Sequence, residues 1–458
     1  MNNVMIGLEV HVHLVNLRTK LFCSCSSDYR GKPPNTNICP ICTGMPGTLP
    51  SLNRKAVEEA LKIAISLGVT PYAKSYFFRK SYFYPDLPKN FQITQYDKAG
   101  GYPLAHDGTL ELSNGKRVRI ERIHLEEDPG RIYYEGERSG ARYSLIDYNR
   151  SGIAMVEIVS SPDMSSPGEA REFLEKLIQT LNDLGMRVQD FEGSIRCDVN
   201  VSYGGGERVE VKNVSGSSQV EKVVLYEVLR QKTLYDRGAK VKRETRAWDE
   251  KRRITLASRS KEVEAEYRYM PEPDLPALSL DTSIIAKVRE SMGGTYNERV
   301  NELVSSGIKP EIAKRLARDV VLYSVYRNAS SNEQLRTRLA SLLVNEVAYV
   351  IKNGSVKLPQ DTKGLLEIAD KYDTISDHSH VVELVKLWIA GGHIEVNEGK
   401  SKINIEDAVK EIIGENRDKL QVLDDKRKME LLMGQLVKKY GSANKKQFAA
   451  ALLKELKL

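Results

Sequence analysis

Apolar residues recur at every second position through much of the first 281 residues, and at every third or fourth position from there on. This change of period restricts the fold more than any other feature, because a period of two belongs to strands and one near 3.6 to helices. IGLEVHVHL, RVRIERIHLEED, SLIDYNRSGIAMVEIVSS, SIRCDVNVSY and RVEVKN read as strands. Two helices lie among them. NRKAVEEALKIAISLG is closed by Gly68, and SPGEAREFLEKLIQTLNDLG is opened by Pro167 and closed by Gly185. The order predicts an α+β domain over 1–281 built round a largely antiparallel sheet, with the proline-rich YRYMPEPDLPALSLD as its exit. All-α segments follow: a helical domain over 282–395 and a C-terminal helical tail over 396–458.

Strand alternation then assigns faces. In the first strand Ile6, Leu8, Val10 and Val12 point one way, and Glu9, His11 and His13 the other. RIHLEED puts His124, Glu126 and Asp128 on one face and Glu127 opposite. SIRCDVNVSY sets Arg196, Asp198 and Asn200 against Cys197 and Val199, and VEVKN sets Glu210 and Lys212 against Val209 and Val211. Glu157 sits between Val156 and Ile158. If these faces converge, they make a concavity of hard oxygen donors and cations suited to Mg²⁺ and nucleotide phosphates. If they do not, each is the hydrated side of an ordinary amphipathic sheet, and alternation alone leaves both readings open.

Four of the five cysteines fall within twenty residues, as Cys23-Ser-Cys25, thirteen residues, then Cys39-Pro-Ile-Cys42. Two close thiol pairs predict a structural Zn²⁺ loop over 23–42 with no open coordination position. Free buried cysteines or an iron–sulfur cluster are the alternatives. FFRKSYFYPDLPKN groups Arg79, Lys80, Tyr82, Phe83 and Tyr84, a set fit to stack and hold a nucleotide or an aminoacylated tRNA end, or to pack as a loop core. Gly204-Gly205-Gly206 lacks the lysine and hydroxyl of a phosphate-binding loop and reads as a hairpin turn. No nucleophile elbow and no dinucleotide fingerprint is present.

Lys and Arg outnumber Asp and Glu by 69 to 62, a formal charge of +7 that modestly favours a polyanionic partner. The tail carries 13 basic and 9 acidic residues over 401–458. Apolar runs fall short of a membrane span, and the N-terminus lacks signal-peptide texture, so a cytoplasmic protein is expected.

Several long strings, among them IGLEVHVHL, PNTNICPICTGMPGTLPSLN, KSYFYPDLPKNFQITQYD, RIHLEEDPGR and YRYMPEPDLP, closely resemble the GatB family of the aspartyl/glutamyl-tRNA amidotransferases. The resemblance spans essentially the whole chain. A related archaeal branch, GatE, carries a synthetase-like insert, whereas YRYMPEPDLPALSLD here runs straight into helices, which favours GatB. The resemblance implies a glutamine-synthetase-like cradle that uses ATP and Mg²⁺ to phosphorylate the side-chain carboxylate of a misacylated Asp-tRNA or Glu-tRNA. Ammonia from a partner amidase, GatA, then displaces the phosphate, and a small third protein, GatC, completes a heterotrimer. It points to Glu9, His11 and Glu127 as Mg²⁺ ligands, with Glu126 beside them and Lys80 as a further catalytic residue. Tyr82, Arg196, Asp198, Glu210 and Lys212 are the nucleotide-binding candidates. Lys438, Lys439, Lys445 and Lys446 are expected to contact tRNA. Alternation favours Glu126 over Glu127 on the polar face, and a β-bulge would reconcile the two. Many family members carry Glu or Gln where this chain has His13. Two competing readings remain: a zinc-braced, non-catalytic tRNA-binding protein, and a free-standing ligase of a small amino acid.

Overall fold

The computed structural model describes residues 4–456 except 99, 135–140, 187, 189–192, 260–263, 295, 330–334, 353–357, 360, 373–374, 376–377, 393, 395–404, 417–419, 421–424 and 441–444. The chain forms two compact units, Met1–Thr295 and Tyr296–Leu458.

The first unit is a mixed α/β structure dominated by one nine-stranded sheet. Its strands, with three from a smaller sheet, are β1 (Val4–His13), β2 (Thr70–Pro71), β3 (Phe77–Ser81), β4 (Phe91–Gln95), β5 (Ala105–Glu111), β6 (Arg117–Glu127), β7 (Ala154–Ser160), β8 (Ile195–Tyr203), β9 (Val209–Val214), β10 (Glu244–Asp249), β11 (Ile254–Arg259) and β12 (Met270–Pro271). The large sheet has the order β11-β10-β9-β8-β1-β7-β6-β5-β2, and the three-stranded sheet has the order β12-β3-β4. All pairings in the large sheet are antiparallel except β9 with β10. The central strand β1 buries Ile6, Leu8, Val10 and Val12 completely. That face is covered by α2 (Pro167–Asp183) and α3 (Ser217–Asp236), while α1 (Arg54–Ser66) packs toward β6. Asn53 caps α1 by accepting from the amides of Lys55 and Ala56, and Ser166 caps α2 through the amide of Glu169. Gly68 and Gly185 take the left-handed conformation just past the helix ends.

Two features depart from the sequence expectation. Helix α3 is a full 20 residues and was not among the helices anticipated. The proline-rich segment is no simple exit, because it is stitched back into the first unit. β12 pairs with β3, Leu278–Ser279 pairs with Lys74–Ser75, and Glu272 receives both ends of the Arg79 guanidinium at 2.8 Å. Gly204 and Gly205, both at positive φ, turn β8 into β9, as expected of a hairpin.

Every regular element among the described residues of the second unit is a helix. Helices from Tyr296–Ser305 to His378–Ile389 share one core that includes Leu303, Tyr323, Leu339, Leu365 and Trp388. Ile405–Glu415, Asp425–Tyr440 and Lys445–Leu456 share another, built on Val409, Leu432, Leu436, Phe448 and Leu452.

Candidate active site

The sheet face opposite α2 and α3 carries the chemistry. Antiparallel register places Glu9 opposite Asp198, His11 opposite both Arg196 and Glu157, Glu157 opposite His124, and Asn200 opposite Glu210. Directly paired residues share a face, so neighbouring strands line up one polar surface. Two groups there could hold a metal ion, His11 with Glu126 and Glu157, and Glu9 with Asp198 and Glu210. Within each group the ligand atoms lie within 4.8 Å of one another.

Charge explains the geometry. Burial and the neighbouring Glu157, Glu210 and Asp198 push the Glu9 carboxyl up. Burial and Glu157 do the same to Glu126. Burial alone would also raise Glu157, but the hydrogen bond from His124 and the nearby His11 outweigh it and hold this carboxyl below the usual carboxylate range. Lys212 lies 2.9 Å from Asp198 and 3.2 Å from Glu210. Those carboxylates overcome the burial penalty and hold its ammonium above the usual lysine range. Asn200 donates to Glu9 at 3.0 Å, and Thr94 to Glu126 at 2.9 Å. Carboxylates crowded against so few cations are the donor set that suits a hard divalent ion.

Behind this surface lies Asp128, whose side chain is fully buried. It accepts from His13 at 2.7 Å and Arg196 at 2.8 Å, with Arg150 at 3.2 Å. Burial would raise Asp128, yet Arg150, Arg196 and His13 hold it far below the carboxylate range. Burial lowers His13, its Nδ1 finds no partner among the described residues, and a neutral ring protonated at Nε2 is the form that satisfies Asp128. His13 therefore serves the Asp128 cluster while His11 faces the acids.

The loop residues converge on the same place. Lys80 sits 4.8 Å from the Tyr267 ring and 5.8 Å from that of Tyr82. Its charge, like that of Arg196, is felt by Glu126. Burial and Glu126 push the Tyr82 phenol up. Glu9, His11, Glu126, Lys80, Tyr82, Arg196, Asp198, Glu210 and Lys212 thus line one region of the first unit.

Glu127 points to the other face of β6, although its charge still reaches Tyr82. Register runs regularly through Met155–Glu126 and Ala154–Glu127, and the only irregularity in that pairing falls at Val159/Ser160. The bulge that would reconcile the two glutamates is absent there, so adjacent side chains point to opposite faces. Glu127 instead accepts from Lys89 and from the amide of Ile93 at 2.9 Å. With Cys23, Cys42, Arg79 and Glu272 it lines a cavity of about 230 Å³. Sequence reading did not bring in Lys89, Thr94, Arg150 or the ligand position of Glu157. The alternation around Glu157 was the available signal for the last.

The four clustered cysteines are unbridged, and their sulfurs lie within 4.8 Å of one another. A hydrogen bond from Cys23 outweighs burial and, with Lys20, holds Cys42 down at about 4. Lys20 is fully buried, 2.9 Å from the Asn37 carbonyl and 3.6 Å from the Cys42 sulfur. Burial pushes Cys25 up to about 11. A set of four thiols in two pairs fits a closed zinc site. The side chains of Lys438, Lys439, Lys445 and Lys446 lie outside the described residues.

The sequence pattern of the GatB/GatE catalytic domain family matches residues 4–286. The GatB protein of the aspartyl/glutamyl-tRNA(Asn/Gln) amidotransferase from Sulfurisphaera tokodaii is 40% identical over 471 residues, covering 99% of each chain. The chain belongs to the GatB family. The corresponding proteins of Saccharolobus solfataricus and Methanococcoides burtonii are each 39% identical and span 99% and 100% of this chain, and 99% and 98% of their own. The likeness to these GatB proteins therefore covers both units. No helix among the described residues is long and apolar enough to cross a membrane.

Proposed function

We propose that this chain is the kinase and amide-transfer component of a tRNA-dependent amidotransferase, acting on Asp-tRNA(Asn), Glu-tRNA(Gln) or both. The observation that carries the reading is the convergence of Glu9, His11, Glu126, Glu157, Asp198 and Glu210 on one sheet face beside Lys80, Arg196 and Lys212. Family membership supports a catalytic role for that face over the non-catalytic tRNA-binding alternative. A long helical second unit has little use in a free-standing small-molecule ligase.

A carboxylate does not accept ammonia at a useful rate, so it first needs a leaving group. One oxygen of the substrate's side-chain carboxylate attacks the γ-phosphorus of ATP, and ADP departs. Ammonia then attacks the carbonyl carbon of the acyl phosphate, and phosphate leaves as the amide forms. Lys80, Arg196 and Lys212 supply positive charge to the transferring phosphoryl oxygens. Mg²⁺ held by His11, Glu126 and Glu157, and by Glu9, Asp198 and Glu210, would neutralise the nucleotide phosphates that these acids otherwise repel. The Asp128 cluster orients Arg196, and Asn200 and Thr94 fix Glu9 and Glu126.

Zn²⁺ at Cys23, Cys25, Cys39 and Cys42 is structural in this reading, with Lys20 offsetting thiolate charge. Residues 1–281 form the cradle and 282–395 a helical domain. Residues 396–458 form a tail that contacts tRNA through Lys438, Lys439, Lys445 and Lys446. A GatA-type amidase supplies ammonia, a small GatC-type protein completes the heterotrimer, and the assembly works in the cytoplasm.

The test combines the chain with those two partners, ATP, Mg²⁺, ammonium and each misacylated tRNA, and recovers the amino acid from the tRNA. Asn or Gln that appears only with ATP supports the assignment. Tight tRNA binding without conversion would return the chain to the non-catalytic tRNA-binding reading.

A further inference from the structure

Phe83 is the most exposed large apolar side chain among the described residues, at 71%. It follows directly on Tyr82, whose ring packs edge-on against Tyr84 and Tyr267 beside Glu126. The exposed ring contributes little to the core, and with a guanidinium beside it the pair offers an aromatic and cationic surface to solvent. Its one close cation among the described residues is Arg268, whose guanidinium carbon lies 5.7 Å from the ring centroid.

Arg268 is itself unusual. Its φ is +44°, a left-handed backbone conformation that disfavours any residue but glycine. Both flanking side chains are anchored inward. The Tyr267 ring lies 4.8 Å from the Lys80 ammonium, and Tyr269 stacks on Tyr96 at 4.1 Å with the rings 8° apart. Immediately afterwards, Met270 and Pro271 pair with β3. Between these two held rings the Arg268 side chain is exposed and lies over Phe83. Strain held in place by its surroundings is a mark of functional positions.

We propose that Phe83 and Arg268 form a stacking platform for the unpaired 3′-terminal base of the acylated tRNA, at the mouth of the acidic site. The proposal rests on the tRNA-dependent reading above and adds the subsite that holds the end of that substrate. Aromatic rings and guanidinium planes are the surfaces on which unpaired bases stack. The positive charge of Arg268 and Lys80 complements the backbone phosphates. A platform open on one side suits the end of a macromolecule held elsewhere along its body. A free nucleotide needs enclosure on most of its surface. The cavity described above lies at the cysteine loop, and neither Phe83 nor Arg268 lines it. Tyr82, the residue before Phe83, lies beside Glu126, so a base on the Phe83 ring directs its attached amino acid toward the carboxylates of β6.

The test uses the assembled enzyme and deacylated tRNA, either intact or stripped of its 3′-terminal adenosine, with dissociation constants measured without ATP. The wild type binds intact tRNA about tenfold more tightly than stripped tRNA, the effect of one base stack. Phe83→Ala brings the two within about twofold, Arg268→Ala narrows the gap, and Phe83→Trp keeps it. A tenfold preference that survives Phe83→Ala overturns the platform. A rise in the KM for ATP with the tRNA preference intact also overturns it, and assigns the ring to the nucleotide base. Failure of the wild type to bind either tRNA overturns the tRNA-dependent reading instead.

Discussion

Asp128 is the sharpest point at which to test the electrostatic architecture. Its side chain has no exposure, and three basic groups converge on it, His13 and Arg196 by hydrogen bonds of 2.7 and 2.8 Å and Arg150 at 3.2 Å. Asp128→Asn keeps the volume and one acceptor but removes the charge, leaving two guanidinium groups without their nearest carboxylate. Removing one partner of a buried pair costs about 3–5 kcal/mol. Arg196 and Arg150 retain 24% and 13% side-chain exposure, so water recovers part of the loss and the lower end applies. We expect about 3 kcal/mol, which at a urea slope of about 3 kcal/mol/M lowers the unfolding midpoint of the first unit by about 1 M. Adding Arg150→Met to Asp128→Asn should cost less than the two changes summed, because one removes the charge the other strands. The pH dependence has a definite sign. The folded-state pKa is depressed, so the Asp128 contribution is fully present above the unfolded value of about 3.9 and is lost only as pH falls below it. The gap between wild type and variant should hold from pH 8 to about 5. A midpoint shift under about 0.3 M would refute the reasoning, since it would mean that water already satisfies both arginines.

Further outcomes follow from the same geometry. Glu126→Gln should raise the Mg²⁺ concentration needed for amide formation by about tenfold or more, and Glu127→Gln should leave that requirement within about twofold, read from Mg²⁺ titrations of activity. A larger Mg²⁺ effect from Glu127→Gln would show that the resemblance, and not the register, identifies the ligand. Cys42→Ser should abolish bound zinc measured by elemental analysis, and Lys20→Met should speed zinc transfer to a chromophoric chelator by about tenfold, consistent with the loss of a supporting contact beside the metal ligands. His13 is held neutral by burial, so wild-type stability should fall as pH drops below about 6.5, by at most about 1.4 kcal/mol per pH unit, and His13→Gln should flatten that slope in urea titrations.

What the sequence disclosed was local, and what it withheld depended on long-range pairing. Alternation correctly gave the buried face of β1 and the shared polar face of Arg196, Asp198 and Asn200, because strand geometry dictates it residue by residue. The same rule separated Glu126 from Glu127, and the structure keeps them apart. Which strands are neighbours is not written locally, so the meeting of Glu157 with His11 emerged only from the β1–β7 register. Helix α3 escaped notice because Leu225, Leu229 and Tyr235 on its exposed side blur the apolar stripe that marks a helix. The proline-rich segment misled for a related reason. Prolines signal a break in regular structure, yet Glu272 between them is held by Arg79 from a strand far earlier in the chain.

The central claim is that the substrate's own carboxylate is phosphorylated, and oxygen tracing tests it most directly. Misacylated tRNA whose side-chain carboxylate carries ¹⁸O at both oxygens would be converted by the assembled enzyme with ATP and ammonium, and the released phosphate examined by mass spectrometry. The account predicts one ¹⁸O in the phosphate for every amide formed, because the oxygen that attacked the γ-phosphorus leaves with it. Amide formation with unlabelled phosphate would contradict it, since ATP would then be split without activating the carboxylate.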